Sequence, residues 1–208
     1  MIAVNEVRVC MNEAGARRQP FLFGVDFELS EGFFVLDPLG QQEILFEVGG
    51  VSNSPMREGI SGVLSEKMFS MNPMAYEVYQ EKFAVVREGV ARGDSFLLNL
   101  TVATGLDTNW TLEEIFHRAQ SPYRLLVPGR FVCFSPEIFV RMDEGMISSY
   151  PMKGTIDASV PDAERVILED YKERSEHNTI VDLIRNDLNR VAERVDVKRF
   201  RYIDRLRV

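Results

Sequence analysis

The segment Ser135–Arg190 contains three motifs around which the chain is organised: SPE at 135–137, PMKGT at 151–155 and ERSEHNTIVDLIRNDLNR at 173–190. Between the first two motifs, β-prone residues flank Asp143-Glu144-Gly145, a pattern typical of the turn of a β-hairpin. A hairpin returns its two ends to one place. We therefore expect Glu137 and Lys153 to meet across the ladder.

The third motif predicts a long helix. Apolar residues recur at helical spacing over Ile180–Val191, and stepping back along this stripe by three and four residues reaches Glu169, Glu173 and Glu176. Oxygen ligands of this kind suit magnesium, which takes one or two carboxylates and keeps waters or substrate oxygens. Acidic residues near a helix start also complement the helix dipole. The spacing by itself therefore leaves a metal site and a purely helix-stabilising role open.

The motifs resemble those of the chorismate-binding enzymes, and within them the component I branch of aminodeoxychorismate synthase (para-aminobenzoate synthase component I). The matching stretches are SPEIF, PMKGTID, EHNTIVDLIRNDLNRV and, upstream, GDSFLLNLT at 93–101, in the family's order and spacing. The resemblance is densest over 93–197 and weaker toward the N-terminus. It implies conversion of chorismate and ammonia to 4-amino-4-deoxychorismate, an early folate step. The ammonia would come from a glutamine amidotransferase subunit.

The resemblance also implies two catalytic residues. Lys153 would be the nucleophile that attacks ring carbon 2 of chorismate, and Glu137 would be the general acid or base that helps the ring hydroxyl leave. A lysine nucleophile must lose its proton, which partial burial promotes. Outside this motif, both residues would be interpreted as solvated side chains at strand ends.

Substrate and metal contacts follow from the same resemblance. Gly154 and Thr155 would approach the substrate with a backbone amide and a hydroxyl, where glycine permits close contact. Glu176 would bind Mg²⁺ directly and Glu173 through water, and the metal would hold the ring carboxylate. We expect His177 either near this site or packed as a satisfied histidine.

Two departures from the family pattern affect the predicted function. Leu97 stands where isochorismate synthases have a lysine that activates water, which argues against isochorismate chemistry. The family also continues well beyond the position of Val208, with a second pair of metal-binding glutamates and further substrate contacts. We therefore expect much of the site to be missing and the chain alone to be inactive.

The identity of residue 153 bears on the choice of product. Anthranilate synthases usually have a small residue where this chain has Lys153, so the lysine favours the para-amino product. An enzyme similar to anthranilate synthase component I remains an alternative interpretation. A non-catalytic truncated or vestigial fragment is another.

Composition restricts the class of protein. At 208 residues and 45% hydrophobic, the chain can bury a substantial core. A net charge of −8, with acids and bases interspersed, argues against nucleic-acid binding. Cys10 and Cys133 form no disulfide framework, so we expect a cytoplasmic protein. No apolar run reaches membrane-spanning length and no P-loop is present, so neither a membrane nor a nucleotide is expected as a partner.

We predict an α+β fold in which antiparallel β-sheets pack face to face with outer helices, as part of the chorismate-utilising enzyme fold. Residues 1–208 would form a single incomplete chorismate-binding domain. Its N-terminal part, 1–70, is rich in predicted strands, and 71–208 would be the first part of the chorismate-binding core.

Local patterns predict the individual elements. They are a helix at 3–14, a strand with one apolar face over Phe21–Leu29, a helix opened by Asn72-Pro73 and ended by Gly93, a strand at Ser95–Thr104, a capping box at Thr111–Glu114 and a strand-like stretch from Val195. An uncovered strand edge in the last stretch would associate with a complementing C-terminal fragment or with a second copy of the chain.

Overall fold

The computed structural model describes residues 1–54, 68–96 and 98–205, and the chain divides into two compact units, residues 1–135 and 136–208. We call them the N-terminal unit and the C-terminal unit. The expectation of a single family domain subdivided at residue 70 stays a prediction. Leu97, whose identity argues against isochorismate chemistry, lies outside the described residues.

The N-terminal unit has the following described elements: β1 (Ile2–Ala3), α1 (Val4–Ala16), β2 (Phe21–Val25), β3 (Glu31–Leu36), β4 (Leu45–Val48), β5 (Val51–Ser52), β6 (Phe69–Asn72), α2 (Tyr76–Arg92), β7 (Gly105–Thr108), α3 (Leu112–Arg118), β8 (Tyr123–Val127) and β9 (Phe131–Phe134). Its described strands pair only in antiparallel fashion. This pairing agrees with the predicted α+β class.

The first sheet has the strand order β1-β3-β2. Residues directly opposite each other share a face of an antiparallel pair, so Leu22 with Val35 lie on one face and Phe23 with Phe34 on the other. The predicted strand ends at Val25, because the chain turns at Asp26. There the carboxylate of Asp26 accepts hydrogen bonds from the backbone amides of Ser30 (2.7 Å) and Glu31 (3.1 Å).

The second sheet has the order β5-β4-β8-β9 and packs on the Leu22–Val35 face of the first. The side chains between the sheets are Phe33, Ile44 and Val127, with Leu22, Val35 and Leu125 packed against them. Apolar side chains from two pleated faces can interdigitate in this way because each strand points alternate residues inward. The predicted face-to-face packing of antiparallel sheets is confirmed.

A helix covers the outer face of each of these sheets. Val7 and Ala14 of α1 are buried, and a side chain at Gly32 of the first sheet would come within 3.1 Å of Val7 Cγ2. On the second sheet, α3 buries Phe116 completely. The predicted capping box opens α3, since Glu114 N donates to Thr111 Oγ1 (3.1 Å) and Thr111 N donates to Glu114 Oε2 (3.0 Å).

Arg124 of β8 ties α3 to the second sheet. Its guanidinium lies 4.9 Å from the centre of the Phe116 ring and donates to the carbonyls of Phe116 and Ala119, each at 3.0 Å. The same group forms an ion pair with Glu47 of β4 at 2.6 Å. Both side chains are largely buried. The N–H groups of the guanidinium satisfy carbonyls at the end of α3 as well as the carboxylate of Glu47.

Two local predictions in this unit are wrong. The helix after Asn72-Pro73 begins at Tyr76, because Asn72 belongs to β6 and pairs with Gly105 of β7. None of the described residues in the expected strand at Ser95–Thr104 belongs to a strand, and the residues that pair are Gly105–Thr108. In each case pairing between distant strands overrides a local signal.

Helix α2 ends at Gly93 as predicted, where Gly93 N donates to the Val90 carbonyl at 3.0 Å. Its apolar stripe remains open. Tyr76 is 69% exposed and Phe83 47% exposed, and no residue of α2 is buried. The helical spacing of Tyr76, Tyr79, Phe83, Val86 and Val90 predicts a buried side for this helix, but the structure leaves these side chains exposed or half-buried.

The C-terminal unit has the following described elements: β10 (Arg141–Asp143), β11 (Met146–Ser148), α4 (Ala163–Glu169) and α5 (Tyr171–Leu188). β10 and β11 form the predicted hairpin. Its turn residues, Glu144 (φ 47°) and Gly145 (φ 77°), have the left-handed conformation that a type I′ turn requires. The predicted helix over residues 173–190 corresponds to α5.

The segment after α5 contains no strand over residues 189–205, so the strand expected from Val195 is wrong for the part that is described. Instead Arg201 donates to the carbonyls of Ile167 (2.9 Å) and Leu168, at the end of α4. Arg205 forms an ion pair with Glu164 at 2.7 Å. The two hydrogen bonds from Arg201 satisfy carbonyl groups that the end of α4 leaves free. No helix in the described ranges is long and apolar enough to cross a membrane.

Candidate functional site

The start of α5 positions two candidate metal ligands. Asp170 is the N-cap, and its Oδ1 accepts a hydrogen bond from Glu173 N at 2.9 Å. Beginning the helix here places Glu173 and Glu176 three residues apart on one helical face. Their side chains are 23% and 35% exposed. The cap at Asp170 was not singled out from the sequence, although an aspartate just before a helical pattern is its usual signal.

Lys172 lies between these two carboxylates. Its Nζ is 3.4 Å from Glu173 Oε1 and 3.4 Å from Glu176 Oε1. The hydrogen bond to Glu173, followed by that to Glu176, raises the pKa of Lys172 above its ordinary value. Sequence reasoning missed this residue. The signal available was the four-residue spacing from Lys172 to Glu176, which places oppositely charged side chains together on a helix.

Gly154 joins the PMKGT motif to α5. It has φ 76°, and a Cβ at this position would lie 2.8 Å from Glu173 Oε2 and 3.2 Å from Ile167 Cδ1. Any other residue would be strained by the backbone angle, and the Glu173 carboxylate would have to move to admit its Cβ. The close neighbour of Gly154 in this structure is Glu173, whereas the sequence predicts a close approach of Gly154 to the substrate. Substrate binding by Gly154 stays a prediction.

Lys153, Thr155 and Glu137 are exposed. The regular ladder ends at the pair Arg141–Ser148, and beyond it Ser149 Oγ donates to the Phe139 carbonyl at 2.9 Å. The ladder therefore stops before it reaches Glu137 and Lys153, and these two form no ion pair within the described structure. The expectation that they meet across the ladder is wrong, while their catalytic roles stay predictions.

His177 is half-buried and packs against the segment after α5. Its ring meets that of Phe200 edge-on, with the ring centres 5.3 Å apart. Burial lowers the pKa of His177, and the positive charge of Arg201 lowers it further. A neutral, packed imidazole agrees with the packing interpretation from the sequence. A contact between His177 and substrate stays a prediction.

The donor set at the start of α5 fits magnesium. Among the described residues, no group of three His, Cys, Asp or Glu side chains converges on one point. Magnesium needs no such cage, because it usually takes one or two carboxylates and fills its other positions with water or substrate oxygens. Glu173 and Glu176 can supply these carboxylates, and the ammonium of Lys172 already bridges them as a positive charge.

The two thiols are less suited to chemistry. Cys10 and Cys133 are free and half-buried. Burial raises the pKa of Cys133, so its nucleophilic thiolate form is disfavoured at neutral pH. Cys133 is therefore better suited to packing than to nucleophilic chemistry.

Comparison with known proteins gives one family and several relatives. The family described as "chorismate binding enzyme" matches residues 55–207. The "Uncharacterized PabA-like protein" of Haemophilus influenzae is 45% identical over 197 residues, which cover 94% of this chain and 59% of that protein. The chain therefore spans only part of the length of this relative. No solved structure matches.

Two groups of enzymes match at lower identity. "Aminodeoxychorismate synthase component 1" of Escherichia coli is 33% identical over 138 residues, covering 60% of this chain and 30% of that protein. "Anthranilate synthase component 1 3" of Haloarcula marismortui is 32% identical over 141 residues, covering 61% of this chain and 28% of that protein. Identity alone does not choose between the two groups.

Proposed function

The chain belongs to the chorismate-binding enzyme family, and on this premise we propose that it forms part of an aminodeoxychorismate synthase site. The reaction would convert chorismate and ammonia to 4-amino-4-deoxychorismate and water. The observation that carries the proposal is the contact of Gly154 with Glu173, because it sets the loop of Lys153 beside one of the candidate metal ligands on α5. Lys153 itself favours the para-amino product, since anthranilate synthases usually have a small residue there.

The chemistry assigns one task to each residue. The neutral amine of Lys153 bonds to ring carbon 2, both ring double bonds shift, and the hydroxyl at carbon 4 leaves as water with a proton from Glu137. Ammonia then bonds to carbon 4, both double bonds shift back, and Lys153 leaves carbon 2 as a neutral amine. The ammonium group formed at carbon 4 returns a proton to Glu137. Glu173 and Glu176 would hold a magnesium ion, which would supply positive charge for binding the ring carboxylate.

The chain alone is proposed to be inactive. Lys153 and Glu137 are exposed, whereas a neutral lysine and a proton-donating glutamate need an enclosed site. A further polypeptide segment, from a complementing fragment or from a second copy of the chain, would enclose them. The exposure of these two residues equally favours the second candidate function, a non-catalytic binding fragment.

The remaining partners follow from the family. The names of the enzyme relatives include "component 1", which supports a further component, and a glutamine amidotransferase would supply the ammonia. The free thiols Cys10 and Cys133 agree with a cytoplasmic location.

The first experiment tests inactivity. The purified chain is incubated with chorismate, magnesium and an ammonium salt, and products are separated by chromatography. We expect no aminodeoxychorismate above the level of a reaction without protein. Product above that level would contradict the proposal that another segment completes the site.

The second experiment tests the reaction itself. The part of the Haemophilus relative outside its matched region is co-expressed with the chain, and the para-amino and ortho-amino products are quantified. Lys153→Ala should lose the para-amino product and move toward the ortho-amino one, while Glu137→Gln should slow both routes by about a hundredfold or more. Lys198→Ala, an exposed lysine of the same unit, is the matched control. Full para-amino activity in Lys153→Ala would show that Lys153 is not the nucleophile.

A further inference from the structure

Lys172 contacts one oxygen atom of each candidate metal ligand. Its ammonium is 3.4 Å from Oε1 of both Glu173 and Glu176. The other oxygen of Glu173, Oε2, lies against Gly154, where even a methyl group would come within 2.8 Å. The loop therefore restricts access to Oε2 of Glu173, and the ammonium of Lys172 lies at the other oxygen of this carboxylate.

Helix energetics do not explain a lysine at this position. Lys172 is the second residue of α5, where the helix dipole disfavours a positive charge. In its pair with Glu176 the lysine precedes the glutamate by four residues, which is the weaker of the two orders for a helical ion pair. Its side chain is 74% exposed, so it adds little packing. What the position provides is a positive charge between two adjacent carboxylates.

That charge has an effect on the carboxylate pair. Two ionised carboxylates on one helical face repel each other, and a nearby ammonium relieves the repulsion. A divalent cation would relieve it more strongly, but it cannot share the same oxygens with an ammonium at close range. The lysine and the metal therefore compete for Glu173 and Glu176.

We propose that Lys172 is a built-in counter-ion of the Glu173–Glu176 pair, which a divalent cation displaces when it binds. This inference rests on the metal site of the proposed function and adds a residue that controls its affinity. Lys172 stabilises the empty carboxylate pair and thereby weakens metal binding. Because Lys172 is largely exposed, the ammonium can move into solvent without disrupting other contacts.

The test measures metal affinity without chorismate. Mn²⁺ is titrated into the full chain at low ionic strength and free Mn²⁺ is followed by electron paramagnetic resonance, with Mg²⁺ added as competitor. Lys172→Gln should bind Mn²⁺ about three- to tenfold more tightly than the parent chain, and added salt should reduce the difference. Lys172→Arg, which keeps the charge, and Lys198→Gln should bind as the parent chain does.

Further variants connect the gain to the carboxylates. Adding Glu176→Gln to Lys172→Gln should remove the gain in affinity. Equal or weaker Mn²⁺ binding by Lys172→Gln, an equal gain in Lys198→Gln, or no saturable binding by Lys172→Gln would each overturn the inference.

A measurement on the unsubstituted chain avoids any folding defect of the variants. The side-chain methylene signals of Lys172 should shift saturably in NMR spectra as Mg²⁺ is added, while those of Lys198 should not. An unchanged Lys172 signal at Mg²⁺ concentrations that shift the amides of Glu173 and Glu176 would also overturn the inference. Because chorismate is absent throughout, loss of the proposed synthase activity and failure of the counter-ion inference give different results.

Discussion

The two units differ in how their side chains are stabilised. All the buried hydrophobic residues within the described ranges belong to the N-terminal unit: Val7, Ala14, Phe33, Ile44, Phe46, Phe116, Leu126 and Val127. The C-terminal unit carries every candidate site residue, yet none of its described residues is buried. The unit with a core and the unit with the predicted chemistry are therefore different parts of the chain.

The segments of the C-terminal unit contact each other through polar groups, whereas the sheets of the N-terminal unit share a hydrophobic core. Arg201 and Arg205 contact α4, and Lys172 bridges carboxylates on α5. Meanwhile Tyr171 is 83% exposed and Leu183 53% exposed. Exposed ion pairs contribute little stability, whereas buried apolar side chains contribute most of it. The candidate site residues therefore need a further covering surface to become enclosed, whereas the two packed sheets of the N-terminal unit already bury their own core.

The largest effect should come from a matched pair of leucine substitutions. Leu126 is fully buried and Leu183 is 53% exposed. Leu126→Ala should lower the free energy of unfolding by about 2–5 kcal/mol because it leaves a cavity. Leu183→Ala should change it by less than about 0.5 kcal/mol. Urea unfolding followed by circular dichroism measures both free energies. Similar losses of unfolding free energy in the two variants would contradict the view that only the N-terminal unit has a core.

A second pair of substitutions compares two arginines within the N-terminal unit. Arg124→Ala removes a largely buried ion pair and leaves Glu47 and helix carbonyls without donors, which should cost about 1–3 kcal/mol. Arg92→Ala removes the exposed pair with Asp94 and should cost less than about 0.5 kcal/mol. Thermal unfolding of the two variants in parallel measures the difference. An Arg92 effect as large as that of Arg124 would show that burial does not decide the value of these pairs.

The uncovered apolar side chains of the C-terminal unit should produce self-association. We expect dimers or larger species in size-exclusion chromatography at low micromolar concentration, together with binding of a dye specific for apolar surface. Replacing Tyr171 and Leu183 by Ser should reduce both signals with little change in stability. A sharp monomer peak without dye binding would contradict this expectation.

The smallest effect concerns two aspartates at low pH. Hydrogen bonds, above all from the Ser30 hydroxyl, lower the pKa of Asp26, and a hydrogen bond from the Ser159 amide lowers that of Asp157. A lowered pKa in the folded state adds stability that is present above the ordinary pKa and is lost as the pH falls through about 4 and below. Unfolding of the parent chain should therefore become easier in this range.

The aspartate variants separate the units. Asp26→Asn should make the free energy of unfolding depend less on pH in the acid range, because Asp26 closes the turn between two core strands. Asp157→Asn should have a smaller effect on this pH dependence, because none of the described residues of the C-terminal unit is buried. Urea unfolding at pH values of about 5 and about 3 measures both slopes. An equal effect of the two variants would show that the units unfold together.

Local chemistry made several elements predictable from the sequence. The Thr111–Glu114 capping box, the turn at Glu144-Gly145, the end of α2 at Gly93 and the helix that carries Glu173 all depend on residues within a few positions of each other. The family motifs also identified the candidate site residues, whose roles stay predictions. A sequence pattern determines these features because their contacts are short in sequence separation.

The tertiary structure was needed to see which faces of the helices and sheets are covered and which motif residues contact each other. The helical stripe of α2 is exposed although its spacing is typical of a buried face. Gly154 lies against Glu173, and Arg201 donates to a carbonyl at the end of α4. Both contacts join residues that are far apart in the chain. The free energy of such contacts depends on how separate segments pack and on what water they exclude. No local pattern contains that information, so the sequence named the residues while the tertiary structure set their neighbours.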